Sequence, residues 1–123
     1  MENLEYYNNK LIASLKLLSL PYSEQEEYFE DFVDKPFEVI DTFDNAILHL
    51  PKLVEIGKFS NQSIASLLRL QNLINFTSSS PKFKDLDYEQ FKIADEWNKV
   101  REMARDTLRL IREPIEKPDT NYI

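Results

Sequence analysis

The sequence predicts an all-α protein, an antiparallel bundle of four to five helices. Three observations predict it. A single glycine, Gly57, and six prolines leave few positions for tight turns. Leu, Glu, Lys, Arg and Gln supply residues that favour helix. Apolar residues recur at three- and four-residue spacing, the period of one helical face. At 123 residues, 42% hydrophobic and 12% aromatic, the chain suffices for one domain with a real core and lies outside the disordered class. The expected division is a helical domain over residues 1–112 and a tail over 113–123.

In the first helix Leu4, Tyr7, Leu11, Leu15 and Leu18 share a stripe, and Pro21 marks its end. Ser23 with Glu26 three residues on is a capping-box signature, which predicts a second helix running toward Val33. Asp34-Lys35-Pro36 reads as the cap and first turn of a third helix, with Phe37, Ile40, Phe43, Ile47 and Leu50 facing inward. Pro51 is expected to stop or kink it, and Gly57 to close the following turn. Ser60 is the expected cap of a fourth helix. Its Ile64, Leu67, Leu68, Leu70, Leu73 and Ile74 spread over much of the circumference, which predicts a central position. Thr77 to Pro81 (TSSSP) reads as a loop. The longest helix is expected from Asp87 or Tyr88 to Arg112, capped by Asp87 with Gln90. Its core stripe is Phe91, Ala94, Trp97, Val100, Ala104, Leu108 and Ile111. The last residues, EPIEKPDTNYI, are expected to lie along the surface or fray.

Charge is distributed unevenly. Ser23 to Asp44 holds nine carboxylates and one cation, Lys35, a net −8 within a chain of net −7. The remainder is close to balanced, with 13 acids and 14 bases. Glu27, Glu30, Asp31 and Asp34 fall three or four apart, as do Glu38, Asp41 and Asp44, so each set shares a helix face. Like charges in one stripe destabilise a helix by roughly 0.2–0.5 kcal/mol per pair, so the cluster calls for a reason. A partner-binding face is preferred here over a merely solvated one, because a patch of one sign steers encounter with a basic partner and rejects wrong ones. Tyr28, Phe29, Phe32, Phe37 and Phe43 are interleaved with the acids. Most are expected in the core, with Tyr28 at the edge of the acidic surface as an anchor.

The chemistry that the chain excludes is extensive. Without cysteine it builds no disulfide and no thiolate metal site. Its single histidine, His49, rules out multi-histidine metal sites; it reads as a packing residue or a cation near a helix carboxyl end rather than a general base. The carboxylates have neither the paired Glu-x-x-His motifs of di-iron bundles nor an EF-hand pattern. One glycine cannot form a phosphate-cradling loop. No cofactor and no enzymatic activity are expected. A net −7 disfavours nucleic acid and anionic membranes as partners. The amino-terminal MENLEYYNNK lacks the basic start and apolar run of a secretory signal, which predicts a cytoplasmic protein. Arg101, Arg105, Arg109 and Arg112 form a line suited to gripping phosphates, but they alternate with Glu102, Asp106 and Glu113. They are read instead as pairing within the helix or with the acidic segment.

A small, acidic, all-helical chain with one concentrated anionic face and no catalytic constellation resembles the immunity proteins of bacterial toxin systems, including those of contact-dependent growth inhibition. Trp97-x-x-Val100-Arg101-x-x-Ala104-x-x-x-Leu108 resembles the closing helix of several small helical immunity families. The resemblance implies a protein that binds a cognate toxin domain, often a basic nuclease, and covers its active site or a surface it needs. By charge, the expected contacts are Glu27, Tyr28, Glu30, Asp31, Asp34, Glu38 and Asp41. A helical regulatory or scaffold subunit that binds a basic cellular protein is the alternative reading. Homodimerisation through the acidic face is disfavoured, because two like surfaces repel.

Overall fold

The computed structural model describes residues 3–81 and 88–123, and every regular element among them is helical. In chain order the helices are α1 (Leu4–Ser19), α2 (Tyr22–Gln25), α3 (Lys35–Ile47), α4 (Leu50–Glu55), α5 (Asn61–Ser79), α6 (Tyr88–Ile93) and α7 (Asp95–Leu110). Short 3₁₀ turns occupy Glu26–Tyr28 and Thr120–Tyr122. The all-α class is the one the sequence predicts.

The central helix is α1, not the apolar-rich α5. Asn3 caps α1 by accepting the Tyr6 N–H at 3.0 Å, and every residue from Leu11 to Ser19 except Lys16 is buried. Burial all round the second half follows from packing against α3 on one flank and α7 on the other. α5 packs chiefly on α7 alone, through a narrow stripe of Ser63, Ser66, Leu67, Leu70, Ile74 and Thr77. Its small hydroxyl residues bring the two helices close, and Ser66 Oγ meets Thr107 Oγ1 at 2.6 Å. This stripe excludes Leu68, which stays 45% exposed. Ser60 caps α5 as expected, accepting the Ser63 N–H at 3.1 Å. The helix then runs past the expected loop start to Ser79, with Thr77 buried and the Ser79 hydroxyl donating to the Asn75 carbonyl at 2.8 Å.

Two expected helices are broken. The helix from Ser23 toward Val33 shrinks to α2 and one 3₁₀ turn, after which Phe29 is extended (φ −129°, ψ 152°). Ser23 does not cap it; Pro21 occupies that position with no side-chain cap. The first turn is held by burial of Tyr22 and by Gln25, whose Nε2 donates to the carbonyls of Leu17 and Leu18 at 3.0 and 3.2 Å. Beyond it Glu26, Glu27 and Glu30 repel one another with no cation four residues away to support further turns. The long final helix breaks at Ala94 (φ −65°, ψ 137°) into α6 and α7. In an unbroken helix Phe91 and Trp97 would be about 9 Å apart along the axis and on different faces. The break lets their rings meet at 4.9 Å, with Tyr22 on the other side of Phe91 at 5.3 Å. The expected Asp87 cap lies outside the described residues.

Asp34 caps α3 by accepting the Phe37 N–H at 3.2 Å, with Pro36 in the first turn. The buried stripe is Pro36, Val39, Ile40, Phe43, Ala46 and Ile47. Val39 and Ala46 centre it one position away from the expected stripe, so Phe37 turns outward and is 51% exposed. Pro51 starts α4 rather than stopping α3, since its missing N–H falls where a first turn has no partner for one.

α4 and α7 end in the same way. Gly57 donates to Val54 O and Lys58 to Leu53 O; Arg112 donates to Arg109 O and Glu113 to Leu108 O. Each is a Schellman cap, which needs a left-handed residue. Gly57 (φ 74°) meets that need freely, whereas Arg112 (φ 61°) adopts it against its own Cβ. Arg112→Gly is therefore expected to stabilise the protein by about 1 kcal/mol, and Gly57→Ala to destabilise it by a similar amount. A Cβ at Gly57 meets nothing within 4 Å, so the backbone conformation alone sets that change. Urea unfolding of both variants checks it.

Residues 113–123 fold back over α1. Glu116 pairs with Lys16 at 2.8 Å, Pro118 is buried, and Tyr122 Oη accepts from Asn9 Nδ2 at 3.2 Å. Ile123 reaches the edge of the core.

Candidate protein-interaction surface

Because the second helix stops early, the acidic segment is a projecting turn followed by the first turns of α3, not two parallel helical stripes. Glu30, Asp31, Phe32 and Asp34 are exposed on that turn, closed by the Val33 N–H donating to Glu30 O at 3.2 Å. Phe32 is 83% exposed, the most open of the large apolar side chains among the described residues. Phe37, on the first turn of α3, stands beyond the Asp34 cap. Two aromatic rings thus sit outside the core among carboxylates.

The other expected residues spread outward from this centre. Glu38 and Asp41 are half-buried along α3, and Asp41 Oδ2 accepts from Asn45 Nδ2 at 3.2 Å. Glu27 is exposed, and Tyr28 packs in part against the core. Tail residue Lys117 approaches both Glu24 and Glu27, at 3.8 and 3.7 Å. Burial pushes the Tyr28 phenol up; Lys117 opposes this, while Glu27 and Glu24 add to it. Asp31, fully exposed, pairs with Lys35 four residues on at 3.1 Å. Lys35 and Lys117 thus each stand beside carboxylates of the surface. Glu30 and Glu38 take part in no ion pair among the described residues.

The sequence places Tyr28 at the edge of the acidic surface and most of the other aromatics, Phe37 among them, in the core. In the structure Tyr28 is half-buried, while Phe32 and Phe37 are exposed. The signal that exposes Phe32 is the broken helix, which sequence spacing alone does not show. For Phe37 it is the pair Val39 and Ala46, which outweigh it in setting the inward face of α3.

Asp44 closes the acidic series at a half-buried position. Burial raises its carboxyl above the ordinary aspartate range, with Asp41 three residues away adding to the rise. A raised folded-state value means the folded protein holds this proton more tightly than the unfolded chain, so stability falls as pH climbs through that value. Asp44→Asn is expected to stabilise the protein by a few tenths of a kcal/mol, roughly, at pH 7 and by less as pH approaches 4, read from thermal unfolding across that range.

The remaining candidates for chemistry are in structural use. His49 stacks flat on Tyr7, with ring centroids 3.7 Å apart and planes 10° apart. Three residues of the arginine line have partners within the fold. Arg101 is buried and donates to Phe91 O at 2.7 Å and Asn98 Oδ1 at 3.1 Å. Arg105 donates to Ser19 O at 2.9 Å, at the end of α1, and Arg109 pairs with Asp106 at 2.6 Å. Among the described residues an ion pair within the helix forms for Arg109, while Arg101 and Arg105 take backbone carbonyls of other helices. Among the described residues no group of three carboxylates or histidines is placed to hold a metal ion, and no helix is long and apolar enough to cross a membrane.

No family model, curated protein or solved structure matches this chain.

Proposed function

We propose that this protein binds and neutralises a cognate basic toxin domain, nuclease-like in its need for cations, through the projecting acidic turn and the start of α3. One observation carries the reading: Phe32, 83% exposed, stands outside the core in a net-negative loop. Large solvent-facing aromatics rimmed by charge are typical of binding hot spots. Carboxylates of Glu27, Glu30, Asp31, Asp34, Glu38 and Asp41 supply the rim. A nuclease holds phosphates with Lys and Arg, and this rim presents the same charge to those groups. The resemblance to small helical immunity proteins supports the same reading. The alternative, a regulatory or scaffold subunit for a basic cellular protein, uses the same surface and differs in what happens to the partner.

The test compares capture of partners from native-host lysate by wild type and by the triple variant Glu30→Lys, Asp31→Lys, Glu38→Lys. The expected catch is one basic protein, retained at low salt by wild type only. Its toxicity on expression is expected to vanish when this chain is co-expressed. With purified partner, the variant is expected to associate at least about tenfold more slowly at low salt, since electrostatic steering changes on-rates by 10–10³. A partner that keeps its activity in the complex points to the alternative. Equal association rates for variant and wild type remove the acidic surface from either role.

A further inference from the structure

Glu24 and Glu27, beside Tyr28, make a subsite for a lysine ammonium, and we infer that the chain's own Lys117 fills it in the unbound protein, as a tethered competitor that a basic partner's lysine displaces. The inference rests on the acidic surface being the one that binds the partner. Residues 113–123 carry three carboxylate side chains and a single cation, Lys117. With the tail folded over α1, that one cation lands on the acidic segment, 3.8 Å from Glu24 and 3.7 Å from Glu27. Its charge also reaches Tyr28, where it opposes the rise that burial, Glu27 and Glu24 impose on the phenol.

The neighbouring residues hold this lysine in place. Glu116, before it, pairs with Lys16 at 2.8 Å, and Pro118, after it, is buried. Farther on, Tyr122 accepts from Asn9. A side chain pinned on both sides has a high effective concentration at whatever it faces. The contact itself is nevertheless loose. Both distances lie near the outer limit of an ion pair, and the Lys117 and Glu27 side chains stay 58% and 62% exposed. Such a pair holds only about two- to fivefold against its broken state. The tail keeps its place when the ammonium leaves, because Glu116, Pro118 and Tyr122 secure it independently.

Geometry favours the partner's lysine over the resident one. An ammonium carries three donors and a carboxylate only acceptors. At 3.7 and 3.8 Å, Lys117 is too far from either glutamate to donate a hydrogen bond. A lysine that is not tied between Glu116 and Pro118 can close to about 2.8 Å and make the charge-assisted bonds that the tethered one misses. A surface without cations offers nothing to replace Lys117, so the tail also discriminates against partners of the wrong charge.

Fluorescence anisotropy of a labelled oligolysine titrated with the whole chain at low salt tests this. Lys117→Gln is expected to bind it at least about twofold tighter than Lys58→Gln, which removes the same charge from a lysine that pairs with no carboxylate among the described residues. Lys117→Arg, which keeps the charge, is expected to bind no tighter than wild type. The advantage of Lys117→Gln over Lys58→Gln is expected to vanish in high salt, and also when Glu24→Gln and Glu27→Gln are added to both, as a double-mutant cycle requires of a direct coupling. If wild type binds but Lys117→Gln and Lys58→Gln bind equally, or if the advantage survives loss of the two glutamates, this inference is overturned and the acidic surface stands. If neither wild type nor any variant binds oligolysine at low salt, the acidic-surface reading falls and this inference with it.

Discussion

Arg101→Ala is expected to lower the unfolding free energy by about 2–4 kcal/mol, measured by urea denaturation. The guanidinium is buried with no carboxylate beside it among the described residues. It lies 5.0 Å from the centre of the Phe91 ring, and its Nε has no hydrogen-bond partner there. What it does is join α6 to α7: its 2.7 Å bond to Phe91 O occupies a carbonyl at the end of α6, where a cation is favoured. Truncation removes that bond, leaves the carbonyl buried without a donor, and opens a void against Phe91. Arg101→Met keeps most of the volume and removes the charge, so its loss is expected to be less than half as large, since an apolar side chain of similar size often replaces a buried ion at little cost. Arg101→Lys is expected to behave like Ala, because a single ammonium cannot span Phe91 O and Asn98 Oδ1 in the same plane. Burial, and then Arg105, pushes the guanidinium down to about 10, so it remains charged at neutral pH. A folded-state value below the unfolded one means that its unfavourable contribution lifts only as pH rises through about 10. The gap between wild type and Arg101→Met is therefore expected to be constant from about pH 5 to pH 9. If Arg101→Ala is as stable as wild type, the aromatic contacts alone hold the break at Ala94.

Phe32→Ala is expected to weaken partner binding by about 30-fold or more, close to 2 kcal/mol, while leaving thermal stability unchanged. A ring this exposed contributes little to the core, so the variant separates binding from folding cleanly. Charge reversal and aromatic truncation are also expected to act on different steps. Reversing Glu30 or Glu38 slows association and flattens its salt dependence; removing Phe32 speeds dissociation with little change in association. Stopped-flow kinetics resolves the two. A Phe32→Ala variant that binds like wild type would move the contact centre elsewhere on the acidic surface.

Helix existence was legible wherever a cap and a periodic stripe coincided. Asp34 and Ser60 cap α3 and α5 as their side chains predict, and Leu11, Leu15 and Leu18 face the core as their spacing predicts. The failures have two causes, distant contacts and local repulsion. Nothing around Ala94 breaks a helix by itself; the break accompanies the contacts of Phe91 with Tyr22 and Trp97 and the Arg101 bond. Ser23 has the right partner for a capping box, yet Tyr22 and Gln25 hold only the first turn against the end of α1, and beyond it Glu26, Glu27 and Glu30 repel one another. α5 is richer in leucine than its packing uses, so composition placed it at the centre. On the candidate surface the acids could be counted from the sequence. Which aromatics stand among them depends on where α2 stops and how α3 rotates, and both are tertiary outcomes.

The contacts that complete α1 come from far along the chain. Its tail partners lie 100 and 113 residues away, at Lys16–Glu116 and Asn9–Tyr122, and its principal neighbour α7 begins at Asp95. During synthesis at about 5–20 residues per second, roughly 4–16 s separate the emergence of α1 from that of α7. For that interval Leu11, Leu15, Leu17 and Leu18 have α3 to cover one side and nothing to cover the other. The most deeply buried helix of the finished protein is thus the most adhesive segment of the nascent one, and the stage at which it depends most on chaperones falls before Asp95–Leu110 has left the ribosome.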